Sequence, residues 1–406
     1  MPAGGRARVL LAGVFSQILC MGVARFAYTP LLPLMQQQTA LDEVGGGWLA
    51  AINYLGYLCG ALVAASLTSL TLKFRLYRAG LLLAVLSTGA MALTEQWWLW
   101  ALLRFLAGLS TAASMLLAAG LIMNWLLRHR RRGELGIHFA GVGLGIVFAA
   151  LAAEIMLGLG LDWRDQWGWL ALLGLGLGLP AWRWMPAPAP AAGGSHLADN
   201  PPGRFFLGMM LAAYFCAGYG YVVSATFIVA IVDQMPGLQG LGHRVFLVMG
   251  LAAVPAVMLW DLVARRTGYL GALALAFALQ IGGIVLPALS DGLLPALLGA
   301  ALYGATFIGC VSLVLTMAGR CYPGHPARLM GKLTLAYGIA QIGAPALTGW
   351  LATGAGGYRD ALWLAGAVMV LGTLLVLVLK YTDDTAARLD RGELPVAGAG
   401  AGLKES

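Results

Sequence analysis

Apolar residues run along this chain in stretches of bilayer length, each ended by a small cluster of charged or polar positions. Phe205 to Val232 and Gly292 to Gly319 each run 28 residues without a charge, Leu333 to Tyr358 runs 26, Thr267 to Ser290 24 and Phe105 to Leu127 23. Each can cross a hydrocarbon core of roughly 30 Å, which takes about 20 helical residues. Lipid offers no partners to backbone N–H and C=O groups, so such segments must be helices that satisfy themselves. The runs and their breaks place twelve helices: Val9 to Met35, Gly47 to Leu72, Leu76 to Leu93, Trp97 to Leu127, Gly136 to Leu159, Gln166 to Trp184, Phe205 to Val232, Val245 to Ala264, Tyr269 to Leu289, Leu293 to Met317, Leu329 to Ala352 and Ala361 to Leu379.

The polar stretches divide the chain. Residues 1–184 hold six helices, and residues 205–380 hold six more. Between them, residues 185–204 are rich in Pro, Ala and Gly and have no periodicity, the composition of a linker. Residues 381–406 form a polar, Gly/Ala-rich tail that is expected to be disordered. The halves repeat one another. Cys20-x-Gly22-x-Ala24 matches Cys216-x-Gly218-x-Gly220 at an offset of 196, while Ala101-Leu102-Leu103 matches Ala296-Leu297-Leu298 and Gly143 matches Gly338 at 195. A shared offset carries more weight than any single match. The fold class expected is an all-α integral membrane protein, with twelve transmembrane helices in two pseudo-symmetric six-helix halves.

Composition excludes a water-soluble globule: 60% of the residues are hydrophobic, 10% are charged, and the mean hydropathy is +0.82. The first apolar run follows Arg6 and Arg8 but extends to Met35 without a convincing cleavage site, so it reads as a retained helix. The five cysteines lie mostly within apolar segments and lack metal-ligand spacing. A formal charge of +8 would suit nucleic acid if it were clustered, but it is spread over short loops. Twenty of the 25 Lys and Arg fall on the side that holds both termini, and only Arg164, Arg244 and Arg359 fall opposite. That asymmetry predicts two cytoplasmic termini in an inner membrane. Trp97, Trp98, Trp125, Trp163, Trp182 and Trp184 sit at helix ends, as interfacial anchors do.

Two six-helix halves joined by a linker resemble the major facilitator superfamily of secondary transporters. Arg104-Phe-Leu-Ala-Gly108 resembles the pattern on that family's fourth helix. Gly141-x-Gly143-x-Gly145 and Gly338-x-x-Gln341-x-Gly343-x-Pro345 resemble its glycine-rich helices 5 and 11. The charged motif after helices 2 and 8 is degenerate: Lys73-x-Arg75-x-x-Arg78 lacks the usual Gly and Asp, and Asp261-x-x-x-Arg265-Arg266 lacks the acid before Arg. The segment from Gly22 through Arg25, Tyr28 and Pro30 to Pro33 is similar to the first helix of the YbfB/YjiJ-like branch. The resemblance implies that helices 1, 4, 7 and 10 line a central cavity, and that 2, 5, 8 and 11 form the moving interface. It further implies alternating access.

Two arginines lie inside spans, where burial costs about 2.5 to 3.5 kcal/mol on insertion scales. Counted from the helix ends, Arg25 and Arg104 share one level in the outer half. A guanidinium pair there can grip an anion by charge-assisted bonds; the bland alternative is that each merely pins helices together. Glu154 falls near the same level and is a candidate for proton coupling, with a structural salt bridge as the alternative. His138 is the second such candidate, weighed against hydrogen-bonded packing. Tyr28 and Tyr54 on the first half, with Tyr214, Tyr219, Tyr221 and Tyr303 on the second, are candidate contacts for an apolar body, weighed against ordinary packing. Gly141, Gly143, Gly145, Asp261, Arg265, Arg266, Gly338, Gln341 and Pro345 are candidates for gating or close packing. Pro30, Pro33, Pro255 and Pro345 are expected to bend or break their helices.

The function expected is secondary active transport of a small organic anion, with a proton as the second partner, by a monomer in the bilayer. Neither cofactor nor metal is expected, and nucleic acid is excluded as a partner. An exporter of amphipathic compounds is the nearest alternative. A lipid-modifying membrane enzyme or a non-transporting receptor belongs to another class, and the enzyme would need a convergent His, Asp or Cys set that is not found.

Overall fold

Short polar side chains fix where several helices begin. Asp42 accepts from Gly45 N at 2.7 Å, Ser69 from Leu72 N at 3.3 Å and Asp162 from Asp165 N at 2.8 Å, each satisfying a backbone donor that the first turn leaves free. The computed structural model describes residues 4–129, 135–189, 201–322 and 327–391. Within them α1 comprises Gly4–Gln17, a π-helical stretch Ile18–Phe26 and Tyr28–Gln38. Next come α2 (Glu43–Ser66), α3 (Leu70–Met91) and α4, whose parts Trp97–Ala112 and Ala118–Arg128 flank a π-helical turn, Ala113–Leu117. The first half ends with α5 (Gly136–Gly158) and α6 (Trp163–Trp184). The second holds α7 (Arg204–Asp233), α8 (Gly242–Ala253 and Ala256–Thr267), α9 (Tyr269–Leu289), α10 (Leu293–Cys321), α11 (Ala327–Ala352) and α12 (Tyr358–Thr382). A single-turn α13 (Thr385–Asp390) follows.

Twelve rods therefore form two six-helix halves. Eight are long and apolar enough to cross a membrane unaided, and the two parts of α8, bent by 47°, make a ninth. The other three carry charges: Lys73, Arg75 and Arg78 in α3, Arg164, Asp165 and Arg183 in α6, Arg328 and Lys332 in α11. Around the outside, Leu86, Leu102, Leu172, Leu262, Leu298 and Leu371 are exposed, a belt that only lipid can cover.

One boundary differs from the sequence reading. The break between the second and third helices falls at residues 67–69, where Ser69 caps α3, and the basic residues after Leu72 belong to the first turns of α3. Charge marked the wrong place because long cationic side chains reach the interface from within a helix. The Arg78 guanidinium lies over the rings of Phe74 and Trp182, at 4.4 and 4.7 Å. Pro255 does break α8, but Pro345 sits inside an uninterrupted α11. The basic loop Arg130 to Arg132, the central linker residues 190–200 and the tail from 392 lie outside the described residues.

By alternation both ends of the described chain lie on one face of the bundle, the terminal face. The halves meet over the opposite, far part. Every residue of 19–32 in α1 and of 216–232 in α7 is buried, so these segments are wrapped on all sides. Thr29 donates to the Ala225 carbonyl at 2.8 Å. Thr29 and Ala225 are 196 residues apart, the offset of the internal repeat, so equivalent residues touch where the pseudo-twofold axis passes. Two seams flank this axis, α2 on α11 and α5 on α8. Added Cβ atoms at Gly47 and Gly143 would lie 2.5 Å from Pro345 O and Val254 N respectively, contacts that only glycine permits.

Candidate functional site

α1 cannot continue straight through its middle. Pro30 has no N–H to give to the carbonyl one turn earlier, at Phe26, and the chain turns at Ala27. Before that turn the helix is already wound in π geometry, with Ala27 N bonded to Gly22 O at 2.8 Å. Gly22 packs on the backbone of Gly145, which fixes α1 against α5 just before Arg25. Segments of π-helix leave carbonyls poorly paired and recur at functional sites.

Arg104 of α4 meets this irregular stretch. Its Nη1 donates to Ala24 O at 2.9 Å and its Nη2 to Arg25 O at 3.4 Å, while the guanidinium lies over the Tyr28 ring at 4.4 Å. Gly108, one turn on, lets α4 approach α2 so closely that a Cβ would lie 2.0 Å from Asn53 O. The Asn53 side chain in turn donates to Arg104 O at 2.8 Å. Arg25 projects to the other side. Its guanidinium carbon lies 4.3 Å from the Tyr54 ring centre, 5.2 Å from Tyr57 and 5.7 Å from Phe26, with the Met21 sulfur 4.0 Å from Nη1.

Arg25 and Arg104 are 6% and 3% exposed, and among the described residues no carboxylate pairs with either. Together they line a small, partly enclosed cavity of about 10 Å³ with Tyr28, Thr29, Asn53, Tyr54 and Thr226, room for no more than one water. The Nε atoms of both arginines and Oδ1 of Asn53 are buried without partners. Across the axis, Tyr54 packs edge-on against Tyr221 at 6.2 Å and its hydroxyl meets Thr226 at 3.2 Å. Tyr221 extends into a cluster with Tyr303, Phe307 and Tyr337, and Tyr214 lies against Tyr337 at 4.5 Å. The Tyr303 hydroxyl donates to the Tyr221 carbonyl.

The structure thus gathers Arg25, Arg104, Tyr28 and Tyr54 at one cavity, with Tyr221, Tyr303 and Tyr214 behind it. Tyr219 makes none of these ring contacts, and its hydroxyl is buried without a partner. Asn53, Tyr57, Thr29, Thr226, Phe307 and Tyr337 belong to the site but escaped the sequence reading; the one available signal was the polar set Asn53-Tyr54-x-x-Tyr57 inside an apolar helix.

Glu154 is not brought to the arginines. It bonds Arg244 Nε at 3.1 Å across the far end of the α5–α8 seam, in a bridge whose side chains are 38% and 65% exposed. Glu154 stands four residues before the end of α5 at Gly158, and its side chain turns to α8. Exposed pairs contribute little, so Glu154→Gln is expected to change stability by less than about 1 kcal/mol, read as the melting temperature in detergent. His138 is fully buried among Gln17, Ser114 and Met115, with Nε2 3.1 Å from Gln17 Nε2, and lies outside the cavity.

Of the gating candidates, Gly143 and Gly338 lie between the halves, against Val254 and Leu58, whereas Gly141 and Gly145 pack on α1 of their own half. Gln341 is buried with Oε1 unpartnered. Asp261 and Arg265 pair with each other at 2.7 Å on exposed turns of α8, next to Arg266, and among the described residues they make no bridge between the halves.

Two solved structures share this architecture. A variant of the nucleoside transporter NupG superposes with a TM-score of 0.70 at 11% identity, covering 92% of this chain and 99% of that one. A bacterial homologue of the human lysosomal transporter Spinster, inward-facing and unoccupied, gives 0.62 at 16% identity, covering 96% and 97%. At such identities the likeness concerns the fold. No curated protein sequence matches the chain significantly. A family profile described as uncharacterised MFS-type transporter YbfB matches residues 17–377. The chain therefore belongs to the major facilitator superfamily of membrane transporters, in that YbfB family.

Proposed function

We propose that the protein is a secondary transporter of a small organic anion, bound between Arg25 and Arg104 once the halves part and widen the cavity that these residues line. The observation that carries this reading is a pair of buried guanidinium groups with no carboxylate partner among the described residues. Two unneutralised cations in a dry interior are costly, and a bound anion supplies the missing charge. The seams and the Thr29–Ala225 and Tyr54–Thr226 contacts tie the halves together on the far side, so in this reading the substrate enters when the halves open toward the terminal face. Exchange between faces then requires the halves to part along α2–α11 and α5–α8.

The terminal face is cytoplasmic in this reading, and the membrane is the inner one. Reporter fusions after Lys380 and within residues 187–200 are both expected to report the cytoplasm; an external signal at either site overturns the orientation. Transport itself is tested with purified protein in liposomes, by counterflow of radiolabelled acetate, benzoate and citrate beside choline and tetraethylammonium. Uptake of at least one anion and of neither cation is expected. Preference for the cations overturns the proposal. An imposed pH gradient in the same vesicles tests whether a proton moves with the anion.

A further inference from the structure

Arg25 and Arg104 share a wall of the cavity but are not equally available. Both Nη groups of Arg104 are committed to the carbonyls of Ala24 and Arg25, and its face is covered by Tyr28. Arg25 has the Met21 sulfur and aromatic faces around it, with Nε unpartnered. Arg25 is therefore the less committed of the two, since Arg104 already ties two carbonyls and keeps only its Nε unpartnered. Asn53 adds a second, different group. The Arg104 carbonyl can only accept, so the amide must present Nδ2 to it, and Oδ1 is left as a buried acceptor in the cavity wall. The rest of the surroundings is aromatic: Tyr54 and Tyr57 on one half, Tyr221 on the other, with Tyr303, Phe307 and Tyr337 behind it.

From this we propose that the substrate is an aromatic monocarboxylate bearing a hydroxyl beside the carboxylate. The inference rests on the anion reading above and narrows it. The carboxylate takes the Arg25 guanidinium in a charge-assisted, planar bond. The hydroxyl donates to Asn53 Oδ1, the acceptor that nothing in the protein satisfies. The ring takes its place beside Tyr54, Tyr57 and Tyr221 when the halves part to admit it, where edge-to-face and offset contacts are favoured. A second carboxylate would meet only Arg104, both of whose Nη groups are already engaged. An ammonium in place of the hydroxyl would lie beside two cations with no carboxylate near, so an amino acid is disfavoured although it too could donate to Asn53.

The test is equilibrium binding to the full-length protein in nanodiscs, using mandelate, phenylacetate, lactate, phenylmalonate, phenylalanine and mandelamide. Mandelate carries all three features, and each of the others lacks one or adds a charge. Mandelate is expected to bind most tightly, with each of the others weaker by about tenfold or more. In Asn53→Ala the affinities for mandelate and phenylacetate are expected to become nearly equal. A merely structural role for Asn53 would lower both and leave their ratio alone. If phenylacetate, lactate or phenylmalonate matches mandelate, this inference falls while the anion reading stands. If mandelamide or phenylalanine matches it, or if none of the four carboxylates without an amino group binds, both fall.

Discussion

Arg25→Ala is expected to abolish binding and transport of the anion without lowering the melting temperature. Hydrogen bonds to charged groups contribute about 1.5 to 3 kcal/mol each, so losing a two-pronged grip costs roughly 3 to 6 kcal/mol of affinity. In the empty protein the same group stands at 6% exposure with no carboxylate partner among the described residues, which makes it a burden on the fold. Its removal relieves an insertion cost of about 2.5 to 3.5 kcal/mol, against which stands the lost packing on Tyr54 and Tyr57. Arg25→Lys keeps the charge but not the planar fork, and is expected to recover binding only in part. Melting curves beside binding curves decide the matter. A variant that binds normally, or one that fails to fold, removes Arg25 from the substrate site.

Much of the fold was legible because lipid leaves so few choices. Twelve apolar runs had to be helices, and only local chemistry could move their ends, as Ser69 did at the start of α3. The repeat offset of 196 carried more than symmetry, since it also names the pair, Thr29 and Ala225, that meets on the axis. The π-helical stretches were not legible. The one in α1 accompanies Gly22 meeting Gly145 and Arg104 collecting freed carbonyls, which are tertiary contacts between distant segments. Counting residues from an expected helix end could not say which way the Glu154 side chain leaves α5, and that direction decides whether it meets Arg25 or Arg244. Asn53 was missed for a related reason. A single amide in an apolar helix has no spacing to mark it, and its importance lies in the partner of its Nδ2 and the absence of one for its Oδ1.

Arg104→Ala is expected to do the reverse of Arg25→Ala, lowering stability first and binding as a consequence. Truncation leaves the carbonyls of Ala24 and Arg25 without their side-chain donor in a buried, already irregular stretch. An unsatisfied buried acceptor costs about 1 to 3 kcal/mol, so the two together come to roughly 2 to 6 kcal/mol; relief of the buried charge offsets about 2.5 to 3.5 kcal/mol of this, as for Arg25, and the lost stacking on Tyr28 adds to the cost. The tie between α4 and the turn at Ala27 is lost as well, and Arg25, on the next residues, loses its fixed direction. Arg104→Lys offers a point charge that can reach one carbonyl but not hold both in one plane, so it is expected to recover stability only partly. In the double variant Arg25→Ala with Arg104→Ala, the melting temperature should follow Arg104→Ala, because of the two arginines only that one ties α1 to α4 by hydrogen bonds. The affinity loss should fall short of the sum of the single losses, since Arg104 acts on the anion through Arg25. If Arg104→Ala melts like the native protein yet binds no anion, Arg104 grips the substrate directly, and the site holds two working cations.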